Sequence, residues 1–257
     1  MNIRIIQLLV ILLTTAITAF AAPVDDMVLL PGGTYTPLYL EKEKLAGLKD
    51  QLTFIDSFWL NRFPVTNRQY LEFVTAHPEW KKSRIKRLFA DASYLQHWSG
   101  DSSIRHINEL DSPVINVSWF AASAYCESRG ERLPTTDEWE YALTDNGRDA
   151  KEIQKRALDW YAVPNSALPN VGNGSANGYG IHDLVGSIWE WTLDFNSFMA
   201  SSDPRDSGQK NLFCGGASLN TSNPRDYAAF MRYSYRSSLL GSFTGKNLGF
   251  RCAKDTK

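Results

Sequence analysis

Gly178-Tyr179-Gly180-Ile181-His182-Asp183-Leu184-Val185-Gly186-Ser187-Ile188-Trp189-Glu190-Trp191 is the stretch on which the fold turns. Two tryptophans bracket one glutamate at the end of a glycine-punctuated run. Upstream of it, from residue 145 to 180, helical and strand periodicity are lost, and Asn, Gly, Ser and Pro recur, so loops dominate. Long irregular stretches do not hold a layered domain together by themselves. Buried aromatics, a disulfide and bound metal ions are the usual ties. The chain has the aromatics for the first of these, with 8 Trp, 11 Tyr and 13 Phe in 257 residues.

Working outward, residues 28–36 read as a strand broken by a tight turn at Pro31-Gly32-Gly33. Residues 54–62 alternate and read as a second strand, running into Phe63-Pro64-Val65. Thr66-Asn67-Arg68-Gln69 has capping-box spacing ahead of Tyr70, Phe73 and Val74, which recur at helical intervals until Pro78. Lys81, Lys82, Arg84, Lys86 and Arg87 form a basic run, read either as an anionic docking patch or as a solvated face. Residues 114–117 read as a short apolar strand. Ser118 caps a helix closed by Gly130, and Thr135-Thr136-Asp137-Glu138 opens another. No internal repeat or low-complexity segment divides the chain, so residues 22–257 are expected to form a single domain.

The N-terminus differs from the rest. Arg4, an apolar run over residues 5–18 and the small-x-small triplet Ala19-Phe20-Ala21 predict a signal peptide over residues 1–21. The alternative is an uncleaved anchor. Export implies an oxidising compartment, and a periplasmic one in a Gram-negative host. Cys126, Cys214 and Cys252 then imply one disulfide and one leftover thiol, with three pairings open. Lys and Arg number 27 against 28 Asp and Glu, a balance without the basic excess that nucleic-acid binding calls for. The mature chain has no apolar run of membrane-spanning length.

The quoted stretch closely resembles the signature of the formylglycine-generating enzyme (sulfatase-modifying factor) family. Further motifs follow the family's order: Phe63-Pro64-Val65-Thr66-Asn67, Pro113-Val114-Ile115-Asn116-Val117-Ser118-Trp119, Ala124-Tyr125-Cys126, Arg132-Leu133-Pro134-Thr135, Glu138-Trp139-Glu140-Tyr141-Ala142, Gly215-Gly216 and Asn247-Leu248-Gly249-Phe250-Arg251-Cys252. The resemblance implies an α+β fold related to C-type lectins and poor in regular secondary structure. It pairs Cys126 with Cys252 and leaves Cys214 free. It also implies structural calcium, held by Glu190 with carbonyls of Val185, Gly186 and Ile188. A second site would use Asn165 and Ser166 with carbonyls near Val171 and Asn173. Calcium suits such loops because it accepts six to eight oxygens at adaptable geometry.

The founding enzyme of that family oxidises a substrate cysteine, using copper held by two close cysteines after a G-G-S motif. Here residues 215–236 contain no cysteine; the two positions fall near Asn220 and Arg225. Soft Cu(I) needs the thiolate pair, so no copper is expected. Cys214 lies before the glycines and supplies one sulfur at most. His77, His97, His106 and His182 have no metal-ligand spacing, His182 reads as a packing residue, and Ser218 lacks a nucleophile elbow. Asp226, Tyr227, Arg232, Tyr233, Tyr235 and Arg236 would line the family's groove, either gripping an extended peptide or packing the C-terminal region. The resemblance is to the cysteine-pair-lacking bacterial branches, of the NirV, PvdO and TagR kinds. It implies a pseudoenzyme that binds a periplasmic or membrane-associated protein or peptide. Such a chain would serve secretion-system regulation or cofactor and denitrification clusters. The alternative is an oxidoreductase of altered chemistry, such as one maturing a siderophore.

Overall fold

The computed structural model of the chain describes residues 26–35, 52–144, 168–195 and 239–256. Within them helix and sheet are mixed and both are short. β1 (Met27–Leu30) is followed by β2 (Gly33–Tyr35), with Pro31-Gly32 between them. The expected strand over residues 54–62 is two strands, β3 (Thr53–Ile55) and β4 (Phe58–Asn61). Asp56 and Ser57, poor strand formers, separate them. A side chain at Gly32 would meet Ile55 O and Ser57 N at 3.1 Å, so the two breaks pack on each other. β2 pairs antiparallel with β3, and β1 with β4.

β4 is the centre of a three-stranded antiparallel sheet completed by β7 (Ala253–Asp255). Phe58 and Leu60 point inward while Trp59 faces out beside Leu29 and Lys254, the alternation that a one-sided sheet requires. Among the described residues there are three α-helices. α1 (Asn67–Ala76) starts with a complete capping box, Thr66 and Gln69 satisfying each other's backbone N–H, and buries Tyr70, Phe73 and Val74. A 3₁₀ turn, Pro78–Trp80, follows it. α2 (Trp119–Ser128) is capped by Ser118, and Gly130 at φ +68° turns the chain away. α3 (Thr136–Thr144) is opened by reciprocal bonds between Thr135 and Glu138 at 2.8 and 3.1 Å.

Residues 114–117 do not form the expected strand. Thr66 and Pro113 make an isolated bridge, Val114 N donates to Val65 O at 2.8 Å, and Asn116 then turns the chain at φ +53°. Val114 and Val117 are nonetheless fully buried. Their burial comes from a bend that delivers both to the core, not from strand pairing.

Among the described residues two apolar clusters result. One gathers Tyr70, Phe73, Trp98, Tyr125, Trp191 and Phe250 around the Cys126–Cys252 disulfide. The other packs Leu30, Phe58 and Leu60 against Trp139, Ile181 and Leu184. β5 (Trp189–Glu190) and β6 (Leu248–Gly249) pair in parallel and carry the tryptophan motif to the C-terminal segment. A Cβ on Gly249 would lie 2.2 Å from Val114 O, so only glycine fits where these strands cross residue 114. No helix among the described residues is long and apolar enough to cross a membrane. The predicted signal peptide, residues 1–21, lies outside the described residues.

Candidate functional site

The site is built from Trp189-Glu190-Trp191. Backbone bonds from Trp189 N to Asn247 O (2.7 Å) and from Trp191 N to Gly249 O (2.9 Å) align the motif beside the C-terminal run. That alignment sets Glu190 against Arg251. The guanidinium grips the carboxylate through two bonds, Nε to Oε2 and Nη2 to Oε1, each 2.8 Å. Trp139 Nε1 donates to Oε2 at 2.8 Å. Both charged side chains are fully buried. The remaining guanidinium N–H groups reach the carbonyls of Asn61 (3.1 Å), Arg62 (3.3 Å) and His182 (2.9 Å). One ion pair thus ties the end of β4, α3, the loop at residue 182 and both motif strands.

This geometry bears on the calcium expectation. The negative charge of Glu190 is already neutralised by a guanidinium, and a dication at the same oxygens would face that cation across hydrogen-bonding distance. The Glu190 side chain does not fit a resident calcium ion. Val185, Gly186 and Ile188 lie on the turn leading into β5, with Gly186 at φ +90°. No group of three or more His, Cys, Asp or Glu is gathered for a metal among the described residues. Asn165 and Ser166 lie outside them. So do Cys214, residues 215–236 and all of Asp226, Tyr227, Arg232, Tyr233, Tyr235 and Arg236.

Arg251 was not singled out by sequence reading. The signal was present: one cation in an apolar run (Leu248-Gly249-Phe250-Arg251-Cys252-Ala253) and one anion between two tryptophans. Buried charges come in pairs. A second ion-pair cluster closes α3 onto β7, with Arg132 holding Glu138 at 2.6 and 2.7 Å and also contacting Asp255.

The four histidines are dispersed, and His77, His97 and His182 have distinct surroundings. His182 packs at a tilt against Phe63 with ring centroids 4.9 Å apart, while His77 lies 3.8 Å from Glu79. His97 belongs to a buried polar hub. Asn67 Oδ1 accepts from Trp98 Nε1 at 2.8 Å and bonds His97 Nε2 at 2.9 Å, and its amide nitrogen donates to Glu109 O at 2.9 Å. This makes Nε2 the protonated nitrogen, and Nδ1 is buried without a partner. Burial foremost, with the charges of Lys82 and Arg105, lowers the His97 pKa from 6.5 to about 4. The unfolded chain therefore takes up this proton first. Stability from this group is complete above pH 6.5 and is lost as pH falls toward 4, by up to about 3 kcal/mol. We expect a His97→Gln variant, which keeps a donor for Asn67, to lose less melting temperature between pH 7 and 4.5 than the wild type. Parallel losses would refute the burial of a neutral ring.

A cavity of about 80 Å³ opens beside these elements, between Phe63, Pro64, Gln69, Tyr125 and Arg129. Burial pushes the Tyr125 hydroxyl up to about 12, so it stays a neutral donor at physiological pH. The guanidinium of Arg129 lies 5.9 Å from the Tyr125 ring centroid and 3.2 Å from Glu131.

Residues 14–256 match the sulfatase-modifying factor enzyme 1-like domain family. The chain is 27% identical over 253 residues to the formylglycine-generating enzyme of Bos taurus, covering 78% of this chain and 66% of that protein. It is 33% identical over 197 residues to hercynine oxygenase of Mycolicibacterium smegmatis, covering 64% of this chain and 44% of that one. The chain thus spans no more than about two thirds of either relative. The solved structure of PvdO from Pseudomonas aeruginosa superposes with a TM-score of 0.52 at 19% identity, over 90% of this chain and 94% of that one, a likeness of fold alone. The matched span takes in every motif from Phe63 to Cys252, and the chain belongs to the formylglycine-generating enzyme (sulfatase-modifying factor) family.

Proposed function

We propose that this chain is a non-catalytic member of its family, an exported accessory or regulatory protein that binds a protein or peptide partner in the periplasm. One contrast carries the reading. The motifs that build the scaffold are intact and engaged in the Glu190–Arg251 pair and the Cys126–Cys252 bridge. Residues 215–236, where the family's copper thiolates belong, contain no cysteine. Two thiolates are a chemical requirement of that oxidation and not a refinement of it. A scaffold kept without its reactive centre is suited to recognition, and Arg232 and Tyr235 are the side-chain types that anchor interfaces.

The test is cross-linking and affinity capture of the exported protein from its host, read by mass spectrometry. A dominant partner is expected, lost when Arg232 and Tyr235 are both replaced by Ala while the melting temperature holds. Turnover of a substrate, abolished by Arg232→Ala, would overturn the reading. That result would favour an oxidoreductase of altered chemistry, for which the similarity to hercynine oxygenase speaks. Such an enzyme would copurify with a redox metal or cofactor, detectable by elemental and spectroscopic analysis.

A further inference from the structure

The basic run at residues 81–87 is held in a defined shape. Two successive turns form it: Arg84 and Ile85 N–H groups donate to Lys81 O, and Phe89 and Ala90 N–H groups donate to Lys86 O. Three anchors fix these turns. Ser83 is clamped to Asp101 through its backbone N–H (2.8 Å) and its hydroxyl (2.6 Å). Ile85 packs on the first core cluster, and Phe89 lies between Trp80 and Phe120, with centroids 5.9 and 5.6 Å away. Asp91 closes the far side by accepting from Thr244 N at 3.0 Å.

Between these anchors Arg84, Lys86, Arg87 and Leu88 project outward. The three cations are exposed, and Leu88 is 74% exposed although it is large and apolar. From Trp80 to Ala90 there are five basic residues and no acidic one, in a chain whose net charge is −1. Asp101 accepts both Ser83 bonds, which hold it below the usual carboxylate range together with the charges of Lys81 and Arg84.

We propose that this turn is a membrane-docking surface, which sets Arg84, Lys86 and Arg87 among the phosphates of an anionic bilayer and Leu88 into the interface. A projecting turn with cations around one exposed leucine matches a planar sheet of phosphate with apolar depth beneath it. An acidic protein would satisfy the cations and leave Leu88 without a reason to be exposed. Each basic side chain close to an anionic leaflet strengthens attraction severalfold, so three together give about 100-fold in partitioning, screened by salt.

The experiment is flotation of the exported protein with vesicles of phosphatidylcholine mixed equally with phosphatidylglycerol, and with phosphatidylcholine alone. An uncleaved N-terminal apolar segment would raise binding to both and leave the difference intact. Preferential binding to the anionic vesicles is expected. Replacing Arg84, Lys86 and Arg87 together by Ser should lower it about 100-fold in low-salt buffer, and Leu88→Ser by about tenfold in low-salt and high-salt buffer alike. All four side chains are exposed, so melting temperatures should not change. Equal binding to the two vesicles, or a triple variant that binds as the wild type does, overturns the proposal. Loss of an acidic protein partner in the triple variant, without any lipid effect, also overturns it.

Discussion

Replacing Arg251 by Met is expected to cost about 3–5 kcal/mol of unfolding free energy, read as a lower urea midpoint at unchanged slope. Met matches the arginine stem in bulk but removes the guanidinium that pairs with Glu190, a carboxylate with no exposed surface. An uncompensated buried charge costs about this much, far more than an exposed salt bridge contributes. The carbonyls of Asn61, Arg62 and His182 lose a donor in the same step. Domains of this kind are stable by only about 5–15 kcal/mol, so the variant should be marginal at physiological temperature. Arg251→Lys should recover little, because one ammonium cannot replace the two-pronged grip and three carbonyl bonds together. Adding Glu190→Gln to Arg251→Met removes the stranded charge. The double variant should then be more stable than the sum of the single losses predicts, by roughly 1–3 kcal/mol. Strict additivity would mean that the two side chains do not share a site.

The sequence revealed more of the scaffold than of its joints. Capping boxes at Thr66–Gln69 and Thr135–Glu138 are local chemistry, written in four consecutive residues, and both formed where expected. The break at Asp56-Ser57 and the bend at Asn116 were not foreseen, because each depends on which segment packs opposite it. Glu190 stood out from its motif, yet its partner is 61 residues away in sequence. Only the parallel pairing of β5 with β6 brings them together. The His97 hub was equally hidden: nothing in the spacing of four scattered histidines indicates that one of them shares Asn67 with Trp98. Interactions set by topology leave only weak compositional traces, such as a lone charge in an apolar run.

Removing the Cys126–Cys252 bridge should cost about 5 kcal/mol, the loss expected when a cross-link closing a loop of this length is released in the unfolded chain. The bridge joins α2 to the residue before β7 across a sequence separation of 126, so it restrains about half of the chain. Both cysteines have no exposed surface, and Cys252 is fixed further by Asn61, whose Oδ1 accepts from its N–H at 2.8 Å and whose N–H donates to its carbonyl at 2.9 Å. The informative variant is Cys126→Ala with Cys252→Ala. A single replacement leaves a thiol that can pair with Cys214, and mass spectrometry without reductant should detect that exchange. Oxidised wild type and the double variant should then be compared by urea unfolding. A loss near the full amount would show that the unfolded chain is open enough to feel the restraint, whereas a loss under about 1 kcal/mol would show a compact unfolded state, which already keeps the two segments close. Because Arg251 and Cys252 are neighbours in the link between β6 and β7, combining the Cys pair replacement with Arg251→Met should cost less than the two losses added. Once the bridge no longer holds residue 252 at Asn61, the segment can shift and admit water to Glu190, and part of the buried-charge penalty disappears.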